Sequence, residues 1–133
     1  MREIKFRGKR LDNGEWVYGD YHHRAGGVHC IIDMQPNFQG KVEYVVIQVD
    51  TETIGQFTGL RDKNNKEIYE GDIVLSKLKR ARKYDEILQI CFDDSEYCGK
   101  NKHGSSTSLS LLGDYHTVEV IGNIHDKPEL LNE

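Results

Sequence analysis

Short apolar runs separated by turn residues dominate this chain, and they predict strands rather than helices. Ile4 and Phe6 alternate with Glu3, Lys5 and Arg7, which puts the apolar pair on one face of a first strand and the charged residues on the other. Asp12-Asn13-Gly14 follows as a turn. Asn-Gly reaches positive φ at little cost, so Glu15 to Tyr21 returns as the second arm of a hairpin. Trp16 and Tyr18 share a face there, with Trp16 as a core or rim anchor. Val28 to Ile32 reads as a third strand entered through Gly26-Gly27, with His22 and His23 in the loop before it. After a loop from Gln35 to Lys41, the run EYVVIQV (Glu43 to Val49) is rich in Tyr, Val and Ile and predicts a mostly buried strand.

The stretch from Thr51 to Val74 (TETIGQFTGLRDKNNKEIYEGDIV) is the densest in turn signals. Gly55 and Gly59 read as turns, Asp62 to Glu67 as a hairpin loop with Asn65 left-handed at its tip, and Gly71-Asp72 as the turn that starts the strand Ile73-Val74-Leu75. Downstream, Glu86 to Phe92 predicts a strand, Asp93 to Ser106 the longest loop, and Thr107 to Leu112 and Thr117 to Ile124 two further strands. Gly122-Asn123 marks a bulge in the last strand. Pro128 opens a final helical turn whose two leucines dock on the body. The fold class is therefore mainly β, with small antiparallel sheets, a barrel of SH3-like character, long loops and little helix. The expected organisation is one domain over residues 1–133, with an N-terminal subdomain at 1–50 and a barrel-like part at 51–125.

Composition narrows the function classes. At 133 residues, with 30% charged and 37% hydrophobic side chains, the chain can build its own core. A net charge of −4 supplies no general attraction to polyanions. The three cysteines (Cys30, Cys91, Cys98) are widely spaced and odd in number, which fits reduced thiols rather than a disulfide framework. No apolar run approaches the length of a membrane span and no signal-like segment follows the basic N-terminus, so the expected location is the cytoplasm of a bacterial host, without membrane contact.

Candidate chemistry is sparse. His22, His23, His29 and Cys30 cluster within nine positions, but their spacing matches no common zinc pattern. Cys91, Cys98 and His103 form an irregular three-member set with no preorganised nucleophile. Asp62 to Glu67 resembles a calcium loop only superficially, lacking its order of acids and its final Glu. No catalytic residue, metal ligand or cofactor is expected. The one dense basic run is KLKRARK, with Lys77, Lys79, Arg80, Arg82 and Lys83 as candidate nucleic-acid contacts. A solvated loop that deters edge pairing accounts for the same residues.

Three blocks resemble the YopX family of phage and prophage proteins: MREIKFR with Trp16-Val17-Tyr18-Gly19, the block from Thr53 to Val74, and Val120 to His125 with Pro128-Glu129-Leu130-Leu131. The family usually has Gly where this chain has Asn65. The resemblance implies a β-rich fold with a barrel-like part and a phage or prophage setting, and it carries over no catalytic residue. The leading expectation is a non-catalytic module that forms a homo-oligomer or binds a protein partner. The alternative is a nucleic-acid-binding small barrel using the basic loop 77–83.

Overall fold

The computed structural model describes residues 3–78, 85–93, 95–110 and 116–132. Eleven strands are described: β1 (Phe6–Lys9), β2 (Trp16–Arg24), β3 (Val28–Pro36), β4 (Val42–Gln48), β5 (Gly55–Arg61), β6 (Glu67–Tyr69), β7 (Asp72–Leu78), β8 (Glu86–Asp93), β9 (Glu96–Lys100), β10 (Ser106–Ser108) and β11 (His116–Asn123). They form a six-stranded sheet ordered β4-β3-β2-β1-β5-β6 and a five-stranded sheet ordered β10-β9-β8-β7-β11. Among the described residues, helix is confined to 3-10 turns at Thr51–Thr53 and Pro128–Asn132 and to helical residues at Leu109 and Ser110. The mainly β expectation is thus met, with one correction. No barrel closes, because among the described residues the edge strands β10 and β11 do not pair with each other.

The chain divides into two compact units, Met1–Phe57 and Thr58–Glu133, with the boundary inside β5. In the first unit, Val17, Ile31, Ile47 and Val49 form the buried core, flanked by Phe6, Tyr21, Val45 and Ile54. In the second, Ile68, Val74, Leu88, Ile90, Leu109 and Val118 pack together, with Tyr97 and Val120 against them. Each fully buried aliphatic side chain contributes roughly 1.5–3 kcal/mol.

Within the first unit the Asn-Gly turn forms as expected: Gly14 has φ 73°, the Asn13 side chain accepts from the Glu15 amide, and β1 pairs with β2 in register Lys9↔Trp16. The faces of β1 differ from expectation. Ile4 lies outside the strand and is exposed, whereas Arg7 is only 6% exposed. Arg7 sits directly opposite Tyr18, on the face that also carries Trp16, and its guanidinium lies 4.6 Å from the Trp16 ring centre. Cation–π attraction and the apolar stem of Arg offset the burial of its charge. At the far end of this unit an isolated bridge, Arg10↔Val49, brings the end of β4 back against the residues after β1.

Across the boundary in β5, Gly55 and Gly59 prove to be strand residues rather than turns, Gly59 with φ 86°. Asn65 takes φ 67° at the tip of the β5–β6 loop, as its side chain permits. The expected bulge is present as a register shift between Val120 and Gly122 in the β11–β7 pairing. The loop expected from Asp93 to Ser106 contains strand β9, whose residues Tyr97 and Cys98 oppose Phe92 and Cys91. Of the strand expected over 107–112, only Thr107 and Ser108 lie in β10. Leu109 and Ser110 are helical, and 111–115 lie outside the described residues.

Candidate interaction edge

The acids of the central stretch are engaged in shaping the backbone. Asp62 accepts from the amides of Asn64 and Lys66 through Oδ1 and from the amide of Val120 through Oδ2, each at 2.9 Å. Burial pushes its pKa up, but these three amide donors outweigh that effect and hold it below the ordinary 3.8. Asp72 is buried and accepts from the Tyr69 amide at 2.8 Å, closing the turn through Gly71. Glu67 pairs with Arg61 and accepts from the Tyr69 hydroxyl.

The histidines do not lie in a loop. His22 and His23 continue β2, and His29 belongs to β3. Alternation then separates the cluster: His23 opposes His29 on one face, with rings stacked 4.3 Å apart, while His22 opposes Cys30 on the other. The hydroxyl of Tyr21 and Nδ1 of His29 share a hydrogen bond. Cys91 and Cys98 face each other across β8 and β9 with sulfurs 3.4 Å apart, and His103 lies in the Asn101–Ser105 turn, where its amide donates to Asn101. Burial, followed by the neighbouring Cys98 thiol, pushes the Cys91 thiol up from 9.0 to about 11. Among the described residues, no group of three or more His, Cys, Asp or Glu is placed to hold a metal ion.

Of the basic run, Lys77 is exposed near the end of β7, opposite Thr117. Lys79, Arg80, Arg82 and Lys83 lie outside the described residues.

The feature that sequence reasoning missed is β4. Expected to be mostly buried, it is an edge strand whose outer face is open: Val42, Tyr44 and Val46 are 61%, 70% and 45% exposed. Val45 and Ile47 point the other way, into or against the core. Across β3 the outer face continues through Ile32, Met34 and Pro36, which oppose Val46, Tyr44 and Val42, and Phe38 is fully exposed in the adjoining hairpin loop. The period-2 alternation of Val42, Tyr44 and Val46 against Val45 and Ile47 was the available signal. A run of apolar β-formers conceals it, and edge position depends on sheet order.

Backbone direction along β4 follows from its register. At one end the Asn37 amide donates to the Lys41 carbonyl, and at the other the Val49 amide donates to the His29 carbonyl. Antiparallel ladders alternate hydrogen-bonded and non-hydrogen-bonded pairs, so residues 41, 43, 45, 47 and 49 face β3. The amides and carbonyls of Val42, Tyr44, Val46 and Gln48 therefore point away from it. Two contacts confirm that direction: the Leu11 amide reaches the Gln48 carbonyl at 3.2 Å, and the Asp50 amide donates to the Lys9 carbonyl at 2.8 Å. The residues after β1 thus cover the edge at Gln48 and Asp50. Among the described residues nothing pairs with Val42, Tyr44 or Val46 on that side. Pro36 fits this ladder because its position opposite Val42 donates nothing to β4.

Among solved structures, the chain is similar to protein EF1440 from Enterococcus faecalis, at 26% identity with a TM-score of 0.59, covering 98% of this chain and 99% of that one. It is also similar in fold to protein yopX from Bacillus subtilis, at 18% identity with a TM-score of 0.59, covering 98% and 97%. No functionally curated protein matches it. The family model described as YopX protein matches residues 5–132, which is nearly the whole chain, and so the chain belongs to the YopX family.

Proposed function

We propose that this protein is a non-catalytic, β-rich module that acts by protein association at the open edge of β4. The observation that carries this reading is the conjunction, on three alternate residues, of outward backbone groups and exposed apolar side chains at Val42, Tyr44 and Val46. An edge with both is suited to accept another strand, the backbone supplying affinity and the side chains selectivity. The usual blocking devices are missing from these three positions, since none is Lys or Pro. The non-catalytic part is supported by Asp62 and Asp72 of the central stretch, whose carboxylates are committed to backbone amides. The family's phage and prophage setting favours the cytoplasm of a bacterial host as the place of action. No helix among the described residues is long and apolar enough to cross a membrane. The nucleic-acid reading rests on the basic run alone.

Site-resolved amide hydrogen exchange tests the proposal by comparing dilute purified protein with concentrated protein and with protein in host lysate. The amides of Val42, Tyr44 and Val46 are expected to gain protection in at least one crowded condition. If all three exchange equally fast in every condition, the edge is not an association site.

A further inference from the structure

Building on the reading of β4 as an association edge, we infer that its occupant is the β4 strand of a second copy of this chain, paired antiparallel about a two-fold axis at Tyr44. Three observations select this partner. First, the open stretch is bounded: the Leu11 amide occupies the Gln48 carbonyl, and on the other side the hairpin turn begins at Lys41, where the Asn37 side chain accepts the Gln39 and Lys41 amides. That leaves Val42, Tyr44 and Val46 as the residues whose outward amide and carbonyl are both open, a set symmetric about Tyr44. Second, a two-fold axis at Tyr44 sets Val42 against the partner's Val46 and Tyr44 against the partner's Tyr44. Each of these becomes a hydrogen-bonded pair, so the open backbone groups of both strands are satisfied together. Third, the side chains are self-complementary in that register. The outer face presents Val, Tyr and Val in the same order from either direction, and aromatic and β-branched residues are the favoured cross-strand pairs. Ile32, Met34 and Pro36 extend the apolar strip on each copy.

The register also has a recognisable weakness. Glu43 then opposes the partner's Val45 and lies one diagonal step from the partner's Glu43. Like charges at that spacing oppose pairing weakly at an exposed site. Moving the axis to residue 43 would set the two Glu43 side chains face to face, and moving it to residue 45 would require the Gln48 carbonyl that Leu11 occupies. Pairing at Tyr44 is the arrangement that avoids both.

The test is disulfide trapping in the full-length protein. Hydrogen-bonded antiparallel partners have Cα atoms about 5.5 Å apart, within the span of a disulfide. In Tyr44→Cys, glutathione disulfide accepts the two electrons released as the paired thiols lose their protons and join, and it leaves as two glutathione molecules. The expected result is a covalent dimer bridged at position 44 by peptide mapping, with little dimer from the exposed control Leu60→Cys. Cys30 and Cys98 are buried and the Cys91 thiol is pushed up, so native thiols compete poorly. Glu43→Gln is expected to tighten dimerisation of the otherwise unmodified chain about threefold. No bridge at position 44, or equal bridging in the control, overturns the inference. If that happens while the Val42, Tyr44 and Val46 amides still gain protection in lysate, the edge reading survives with a different occupant; if protection is absent as well, both fail.

Discussion

The side chain of Asp62 accepts the amide of Val120 at 2.9 Å, across 58 positions of sequence. This bond joins the β5–β6 loop to β11 beside the register shift in that strand, and the Lys63 amide adds a second tie to the Val118 carbonyl at 2.9 Å. A loop whose own sequence looks like a simple turn is therefore a fastening point of the second unit. Asp62→Ala would strand three amide donors and is expected to cost about 2–4 kcal/mol, read as a lower midpoint in urea.

The same carboxylate predicts a pH dependence. Its native pKa is held below 3.8, so the unfolded state binds the proton more readily. The stabilisation is fully present above the unfolded value and is lost as pH falls through the lowered native value. Stability of the natural chain should decline below about pH 4, and part of that slope should disappear in Asp62→Asn, followed by urea titration across pH.

Gly19 has a different kind of constraint. A Cβ built there would come within 2.1 Å of the Ile32 carbonyl oxygen, which is backbone and cannot turn aside. Gly19→Ala is expected to destabilise the first unit by about 3 kcal/mol or more, detected as a drop in thermal midpoint.

Arg7 over Trp16 provides an optical test, since Trp16 is the only tryptophan. Arg7→Ala removes the stacked cation and the stem that packs with it. The expected outcome is a loss of about 1–2 kcal/mol with a shift in the native fluorescence maximum.

How much of this was legible in the sequence depends on whether the cause is local. The Asn13-Gly14 turn, the left-handed Asn65, the capping role of Asp62 within its own loop and the bulge near Gly122 each follow from residues a few positions apart. The burial of Arg7 does not, because Trp16 arrives from the neighbouring strand. His22 and His23 resemble a turn because they are polar and end a strand; the opposing strand β3 extends β2 through them. The candidate edge was hidden for a third reason. An apolar strand in mid-sequence is ordinarily central, and only the order β4-β3-β2-β1 leaves this one at the margin.

The Cys91 thiol, pushed up to about 11, should be a slow nucleophile. Below that value its thiolate fraction rises about tenfold per pH unit, so alkylation by iodoacetamide near pH 8 should be on the order of 100-fold slower than for an exposed peptide thiol. Mass spectrometry of the modified peptide measures this, and Cys98→Ser should restore part of the rate by removing the neighbouring thiol.

Association through β4 is the claim on which the functional account stands, and light scattering across a dilution series tests it most directly. At tens of micromolar the natural chain should scatter with twice its 15.3 kDa mass and dissociate on dilution. Val42→Lys combined with Val46→Lys, folded by circular dichroism, should remain monomeric throughout. A natural chain that stays monomeric at every concentration, or a double variant that dimerises equally well, would contradict self-association through β4.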